Sequence, residues 1–456
     1  GQVGLAAAIA LRRALPRTAV TVVPCQPAPS AIADRAMTSL PRTDAFHERI
    51  GLEEDGFILR AGASHRLGVR FLNWQQQNAS YIHGYGAGSV GDETVSQCLA
   101  DANKFANPTD DTVSPLSDID YALRYHQPAY RGRLVALAKH LGVRQLEGPM
   151  TAAMSDGKGG IAHIALANGG SVTADLFVDC SGPQALLMDA TQQASFQSWS
   201  AMLPCNRLML AAAPAAPVLS VTDTIEAHNF GWRSTIFGRD GAHHAFAYNV
   251  DVGSEAEIAS GLGQQSGEVV ALKPGRPANS WVGNVIAFGD AAAAFEPLHW
   301  INLALAHEQI LLFLELLPGC DIDARERAEY NRRAGAMADR VRDYIGLHYS
   351  APNPPEGPFW QHAVRLQRSS GLALTLSEYT KRGRLPFFEE ETLPRESWQS
   401  AMDCIGIAAG PNAQSLSTPK EIVADRLKKQ QMRSAKALEL AAPYPAWLKK
   451  HIESKT

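Results

Sequence analysis

The stretch Trp281-Val-Gly-Asn-Val-Ile-Ala-Phe-Gly-Asp-Ala-Ala-Ala-Ala-Phe-Glu-Pro-Leu-His-Trp300, with the apolar run that follows it, decides the fold. Val285 to Phe288 reads as a buried strand, Gly289-Asp290 as a turn, and about Ile301 to Leu317 as an apolar helix. Beyond the turn stand four alanines, so nothing larger than a methyl keeps the main chain from a bound ligand. A flat cofactor with a polar tail suits such a turn. An ordinary strand-to-helix connection reads the same way, and the rest of the chain has to decide.

Working outward, Gly1-Gln-Val-Gly4-Leu-Ala-Ala-Ala is a glycine turn opening a helix, and Ala19 to Val23 is a β-branched strand. Together they look like the back half of a dinucleotide-binding unit, with Gly1 and Gly4 as the last two glycines of G-x-G-x-x-G. The first strand and first glycine are expected upstream of Gly1. Pro24 stands where an acidic residue would hold the adenosine ribose, and proline has neither carboxylate nor amide hydrogen to offer. Ala174 to Gly182 is a strand closed by Asp179-Cys-Ser-Gly182, the second contact of a two-dinucleotide scaffold.

Between these lie Val143 to Leu146, Ile161 to Leu166 and Ser171 to Ala174, which alternate like antiparallel strands. Helices are expected at Asp44 to Ile50 and Gln127 to Leu141, and Tyr81-Ile-His83-Gly-Tyr-Gly86 reads as a loop over a pocket. After Pro318-Gly319 the chain is mostly helical, at Ala324 to Tyr349, Gln361 to Lys381, Pro394 to Ile407 and Thr418 to Leu440.

The 456 residues suffice for a sizeable core, and 45% hydrophobic with 19% charged residues describe an ordinary globular protein. A net charge of -4 gives no reason to expect nucleic acid or an anionic membrane as partner. Cys25, Cys98, Cys180, Cys205, Cys320 and Cys404 are scattered, without a CxxC pair or a His cluster at metal-ligand spacing. No metal site is expected. With no signal peptide legible and no apolar run long enough to span a bilayer, the reading is a reduced cytoplasmic protein.

Enough residues are now assembled for a resemblance. The chain resembles a flavin-dependent tryptophan halogenase nearly end to end, through Gly1-x-x-Gly4, Phe46-His47-x-x-Ile-Gly51, Leu67-Gly-Val-Arg-Phe-x-Asn-Trp74, Tyr81-x-His83-x-x-Gly86 and Val178-Asp-Cys-Ser-Gly182. Leu203-Pro-Cys205, Gly231-Trp232, Gly283-Asn284, Glu296-Pro-Leu298, Arg342-Asp-Tyr-Ile-x-Leu-His-Tyr349, Pro358-Phe-Trp360, Arg382-Gly-Arg-Leu-Pro386 and Ser397-Trp398 follow in order.

The resemblance implies an α/β chain with α+β elements, in which a two-dinucleotide-binding FAD module (1–318) is joined to a mainly helical substrate module (319–456). It implies reduced FAD delivered by a separate reductase, a flavin C4a-hydroperoxide, hypohalous acid and an aromatic substrate, indole-like or peptidyl. A homodimer is compatible with it. Cofactor contacts fall on Gly1, Gly4, Ser39, Gly289, Asp290, Pro297, Ile301 and Asn302, and substrate contacts on His83, Trp232 and Trp300.

The departures bear on the chemistry. Arg66 occupies the place of the family's catalytic lysine, and a guanidinium is too basic to lose its proton and accept halogen. The family's E-P-L-E-S-T-G-I reads Glu296-Pro-Leu-His299-Trp300-Ile301-Asn302-Leu303, so His299 replaces the catalytic glutamate and larger side chains replace the Thr-Gly cradle for chloride. Arg66 and His299 are the catalytic candidates.

Bland readings stay beside these. Arg66 could salt-bridge a core-edge carboxylate, His299 could be an interior histidine, and Trp232 and Trp300 could be packing residues. Three functions are therefore carried forward. They are a halogenase-like oxygen-using flavoenzyme, an FAD monooxygenase or dehydrogenase that does not halogenate, and a flavin-free binding protein.

Overall fold

The computed structural model of the protein describes residues 1–26, 28–41, 43–75, 79–86, 94–192, 195–213, 219–261, 267–319 and 321–455. The chain forms two compact units, each assembled from three separate segments.

The first unit takes Gly1–Phe57, Tyr125–Ser200 and Val270–Val341. Its opening helix, Gln2–Ala14, buries Gln2, Val3 and every residue from Leu5 to Leu11. Four alanines among them let other backbone come close. Strand Thr21–Val22 pairs in parallel with Arg144–Gln145. The expectation of an antiparallel strand at Val143 to Leu146 is thus corrected, because Arg144 N and Leu146 N donate to Val20 O and Val22 O across a helical crossover.

Met150–Ser155, Ile161–Leu166 and Ser171–Val172 do form an antiparallel sheet. Phe177–Asp179 runs parallel to Val285–Ala287, which turns out of Trp281–Val282. Ile161, Ile164, Leu166, Phe177, Val285 and Ala287 close one core with Leu187 and Met188. The helix Ile301–Glu315 is buried almost all round, as its uniformly apolar sequence requires.

The second unit takes Ile58–Arg124, Ala201–Val269 and Arg342–Thr456. Its seven-stranded sheet begins at one edge with Glu268–Ala271. From there it runs in the order Arg207–Ala213, Gly241–Tyr248, Gly231–Gly238, Thr222–His228, Gly68–Leu72, Ser80–Gly84. Only the pair Thr222–His228 and Gly68–Leu72 among these is parallel. The expected loop at Tyr81 to Gly86 is largely a strand, in which His83 pairs with Val69. Gly68 permits this, since a side chain there would come within 2.5 Å of the His83 carbonyl oxygen.

Helices follow at Ser370–Arg382, Arg395–Cys404 and Lys420–Leu440. The single helix expected at Gln361 to Lys381 is two, Pro358–Ala363 and Ser370–Arg382. Ser369 caps the second by accepting from Leu372 N at 3.0 Å. Trp74, Trp232 and Trp360 are fully buried, and each indole N–H has an acceptor, respectively His348 O, Tyr349 Oη and His228 O at 2.8–2.9 Å. Among the described residues no helix is long and apolar enough to cross a membrane, and no cluster of His, Cys, Asp and Glu is arranged to hold a metal ion. Cys320 lies outside the described residues, and the other five cysteines form no disulfide with one another.

Candidate active site

In the first unit the candidate site grows from the end of strand Val285–Ala287. Gly289 adopts φ +65°, and a side chain there would come within 3.1 Å of Val3, so the turn demands glycine. Its amide donates to Gln309 Oε1 at 2.8 Å. Asp290 is 6% exposed, and its Oδ2 accepts from Ala33 N at 2.7 Å. Its Oδ1 is buried with no hydrogen-bond partner among the described residues. Burial first, and the nearby Asp34 charge after it, push this carboxyl well above the usual carboxylate range, partly offset by the Ala33 amide.

Gly4 is in contact range of Cys180, where an added side chain would lie 3.4 Å away, so helix Gln2–Ala14 packs directly on the end of the neighbouring strand. Gln2 Nε2 donates to Ala33 O and Ala36 O at 2.6 and 3.1 Å, while its Oε1 has no partner. Ser39, fully buried, lies 3.4 Å from Tyr125 Oη. Asp179 is committed elsewhere. Its carboxylate accepts from Ser181 and from Leu187 N and Met188 N, which ties the Ser-Gly turn to a short helix.

Pro297 leads into a turn where His299 and Trp300 both have φ +59°. Two consecutive left-handed residues with side chains cost of order 1–2 kcal/mol each, a strain that concentrates at functional turns. Ile301 and Asn302 open the next helix fully buried, with Asn302 Nδ2 donating to Phe295 O at 3.1 Å and Oδ1 without a partner.

Nearby in the same unit is a cluster that sequence reading missed. His47 Nε2 lies 2.8 Å from Tyr130 Oη, and His307 stacks on Phe46 at 4.1 Å. Burial pushes His47 down to about 3 and His307 well below the usual imidazole range. The available signal was His307, a lone imidazole inside an apolar helix.

In the second unit Arg66 sits on strand Ser64–Arg66, beside Ala122–Arg124. Arg66 Nε lies 2.9 Å from Asp223 Oδ2, and Arg124 Nε donates to Asp223 Oδ1 at 2.6 Å. All three side chains are at most 2% exposed. Arg124 Nη1 donates further to His65 O and Ser220 O, and the Arg66 guanidinium lies 5.6 Å over the Tyr85 ring. Two cations therefore face one carboxylate, which fixes the Arg66 guanidinium on its strand. Asp223 and Arg124 carried no motif and were not foreseen.

His83 Nε2 lies 3.0 Å from Tyr344 Oη and 3.2 Å from Ser397 O, with burial lowering its pKa. The structure thus gathers Gly1, Gly4, Gly289 and Asp290 around one helix start and strings His299 to Asn302 along one turn. Arg66, His83 and Trp232 belong to the other unit.

The unpartnered oxygens of Gln2, Asp290 and Asn302 fit a hydroxyl-bearing cofactor such as FAD, since buried polar atoms are seldom left alone. The model of the tryptophan halogenase family matches residues 1–420. The chain is similar to tryptophan 6-halogenase ThaL of Streptomyces albogriseolus, 24% identical over 83% of this chain and 80% of that protein. It is equally similar to tryptophan 7-halogenase RebH of Lentzea aerocolonigenes, 24% identical over 83% and 80%. Among solved structures, the flavin-dependent halogenase BrvH from Brevundimonas sp. BAL3 superposes with TM-score 0.89 at 22% identity, covering 99% of this chain and 97% of that one. Xcc4156 of Xanthomonas campestris, also a flavin-dependent halogenase, gives 0.88 at 21% identity, covering 99% and 96%. The chain belongs to the tryptophan halogenase family, whose members use FAD reduced by a separate reductase.

Proposed function

We propose that this protein is an FAD-dependent, oxygen-using oxidoreductase that halogenates an aromatic substrate, indole-like or peptidyl. The observation that carries the reading is the Gly289-Asp290 turn, where a run of small residues meets a buried carboxyl oxygen with no partner. In this reading Gly1, Gly4, Ser39, Gly289, Asp290, Pro297, Ile301 and Asn302 hold FAD in a discontinuous module within residues 1–318 that carries inserted substrate-facing segments, and residues 319–456 form the helical substrate module. Bound and reduced by a separate flavin reductase, FAD would supply the activation of oxygen.

The chain's own residues do the rest. Asp290, whose carboxyl burial pushes well above the usual carboxylate range, would hold a cofactor hydroxyl at Oδ1. Arg66, fixed by Asp223, acts as a permanent cation and hydrogen-bond donor toward the oxidant. It does not carry halogen covalently. His299 moves a proton at the substrate in place of the family's glutamate. His83, Trp232 and Trp300 are the residues this reading gives to the substrate.

The test supplies reduced FAD, bromide and indole or tryptophan to the purified protein. Brominated product supports the reading, and its absence for both probes and for a tryptophan-containing peptide overturns halogenation. Arg66→Lys raises bromination if a lysine-type route persists. Equal or lower product from that variant assigns the cation a fixed, non-covalent role.

A further inference from the structure

The Val3 amide, in the first turn of helix Gln2–Ala14, meets an anion that the helix does not supply. Gly1 offers no side-chain cap, and no acidic residue stands in the first turn. The anion is Asp34, 31 residues on, whose Oδ1 accepts from Val3 N at 2.9 Å. Helix N-termini bind carboxylate or phosphate through the same exposed N–H groups, so one occupant excludes the other. The fit is close, for a side chain built on Gly1 would overlap the Asp34 carboxylate, 1.8 Å from its nearest oxygen.

Asp34 is delivered by residues 28–36, of which Ala28, Ala31, Ile32, Ala33 and Ala36 are buried. Ala33 N donates to Asp290 Oδ2, Gln2 Nε2 donates to Ala33 O and Ala36 O, and Gln127 Nε2 donates to Asp34 O at 3.1 Å. Ala28 and Ala31 fill the space left by Gly182, where an added side chain would lie 3.4 and 2.8 Å from them. Independently, the two buried side chains that grip Ala33 each leave one oxygen unpartnered, Gln2 Oε1 and Asp290 Oδ1. Gln2 is 0% and Asp290 6% exposed. Residues 28–36 thus satisfy one polar atom of each side chain and leave the other without a partner.

We infer that Asp34 is an internal substitute for the diphosphate of a dinucleotide, and that residues 28–36 must leave the helix start before FAD or ADP can bind there. The inference rests on the FAD reading above and deepens it by naming what the cofactor displaces. Apparent affinity is then reduced by the fraction of molecules in which the seat is free, and removing the Asp34 charge raises that fraction.

The test is calorimetric titration of the full chain with ADP and, separately, with FAD, for wild type, Asp34→Ala and Asp34→Asn. Hydrogen exchange is followed in the wild type with and without each ligand. Both variants are expected to bind both ligands at least about tenfold more tightly. In the wild type, ligand is expected to speed exchange at residues 28–36, beginning with the Ala33 amide, while slowing it at Val3.

Unchanged or weaker binding by the variants overturns the inference; weaker binding makes Asp34 a direct ligand of the ribose instead. Failure of both variants to bind ADP overturns it too, as does unaltered exchange at residues 28–36 in ligand-bound wild type. If ADP follows the expected pattern and FAD binds to none of the three, the inference stands and the flavin reading falls. The near-isosteric Asn variant and the wild-type exchange data keep the test decisive should the Ala variant fail to fold.

Discussion

Two buried aspartates in this protein have opposite surroundings. Asp223, in the second unit, lies between two guanidiniums and also receives the amide of Phe237 at 3.3 Å. Asp290, in the first unit, has the Ala33 amide for one oxygen and nothing among the described residues for the other. A carboxylate ion-paired with two buried guanidiniums is structural, because removing it strands two cations in the interior. A carboxyl short of partners destabilises the cofactor-free chain and makes sense only with a further occupant. The difference separates scaffold from site more reliably than residue type does.

The comparison can be broken in several ways, beginning with the largest effect. Asp223→Ala should destabilise the protein by about 3–5 kcal/mol, measured by urea unfolding, because Arg66 and Arg124 are then buried without a counter-charge. A loss below about 1 kcal/mol would make the trio incidental.

Acid should act next. His47 and His307 are neutral when folded, whereas in the unfolded chain each binds a proton below about pH 6.5. Folded pKa values lie below unfolded ones, so their contribution is intact above about pH 6.5. For His47 it is lost between there and about pH 3, at about 1.4 kcal/mol per pH unit, and for His307 it is likewise lost as pH falls below about 6.5. Unfolding followed from pH 7 to pH 5, in wild type and His307→Phe, checks this. The variant should have the shallower slope, and equal slopes would remove His307 from the account.

Gly289→Ala should cost about 1–2 kcal/mol, since φ +65° disfavours any side chain and the methyl meets Val3. A neutral result would mean the turn relaxes, and the close approach it provides would lose its significance. The smallest effect has the opposite sign. Asp290→Asn should stabilise the cofactor-free protein by about 1 kcal/mol at neutral pH. The wild-type carboxyl, raised on folding, gives up stability as pH rises above about 4, so the gain should fade toward that pH. A gain independent of pH would show that charge is not its origin.

Much of the architecture could be read from the residues alone, and the reasons are local. The helix at Ile301 announces itself by an unbroken apolar run, and the Gly289-Asp290 turn by small residues after a β-branched strand. The strands over 207–248 passed unread because Leu-Met-Leu-Ala-Ala-Ala and Ala-His-His-Ala-Phe-Ala-Tyr carry weak alternation. Their pairing comes from neighbours far away in the chain.

Arg66 and His299 could be picked out only by the residues they replace. The partner that fixes Arg66 lies 157 positions away on another strand, beyond the reach of spacing arguments. Asp34 was invisible for the same reason. A single acid in a four-residue helix gives no hint that it caps a helix start 31 residues earlier.

The central claim is that Asp290 leaves a place for FAD, and the most direct test is a flavin-fluorescence titration of wild type and Asp290→Ala side by side. The account predicts stoichiometric quenching by the wild type, with affinity at least about tenfold weaker in a variant that remains folded. Equal affinities, or no binding by the wild-type chain, would contradict it.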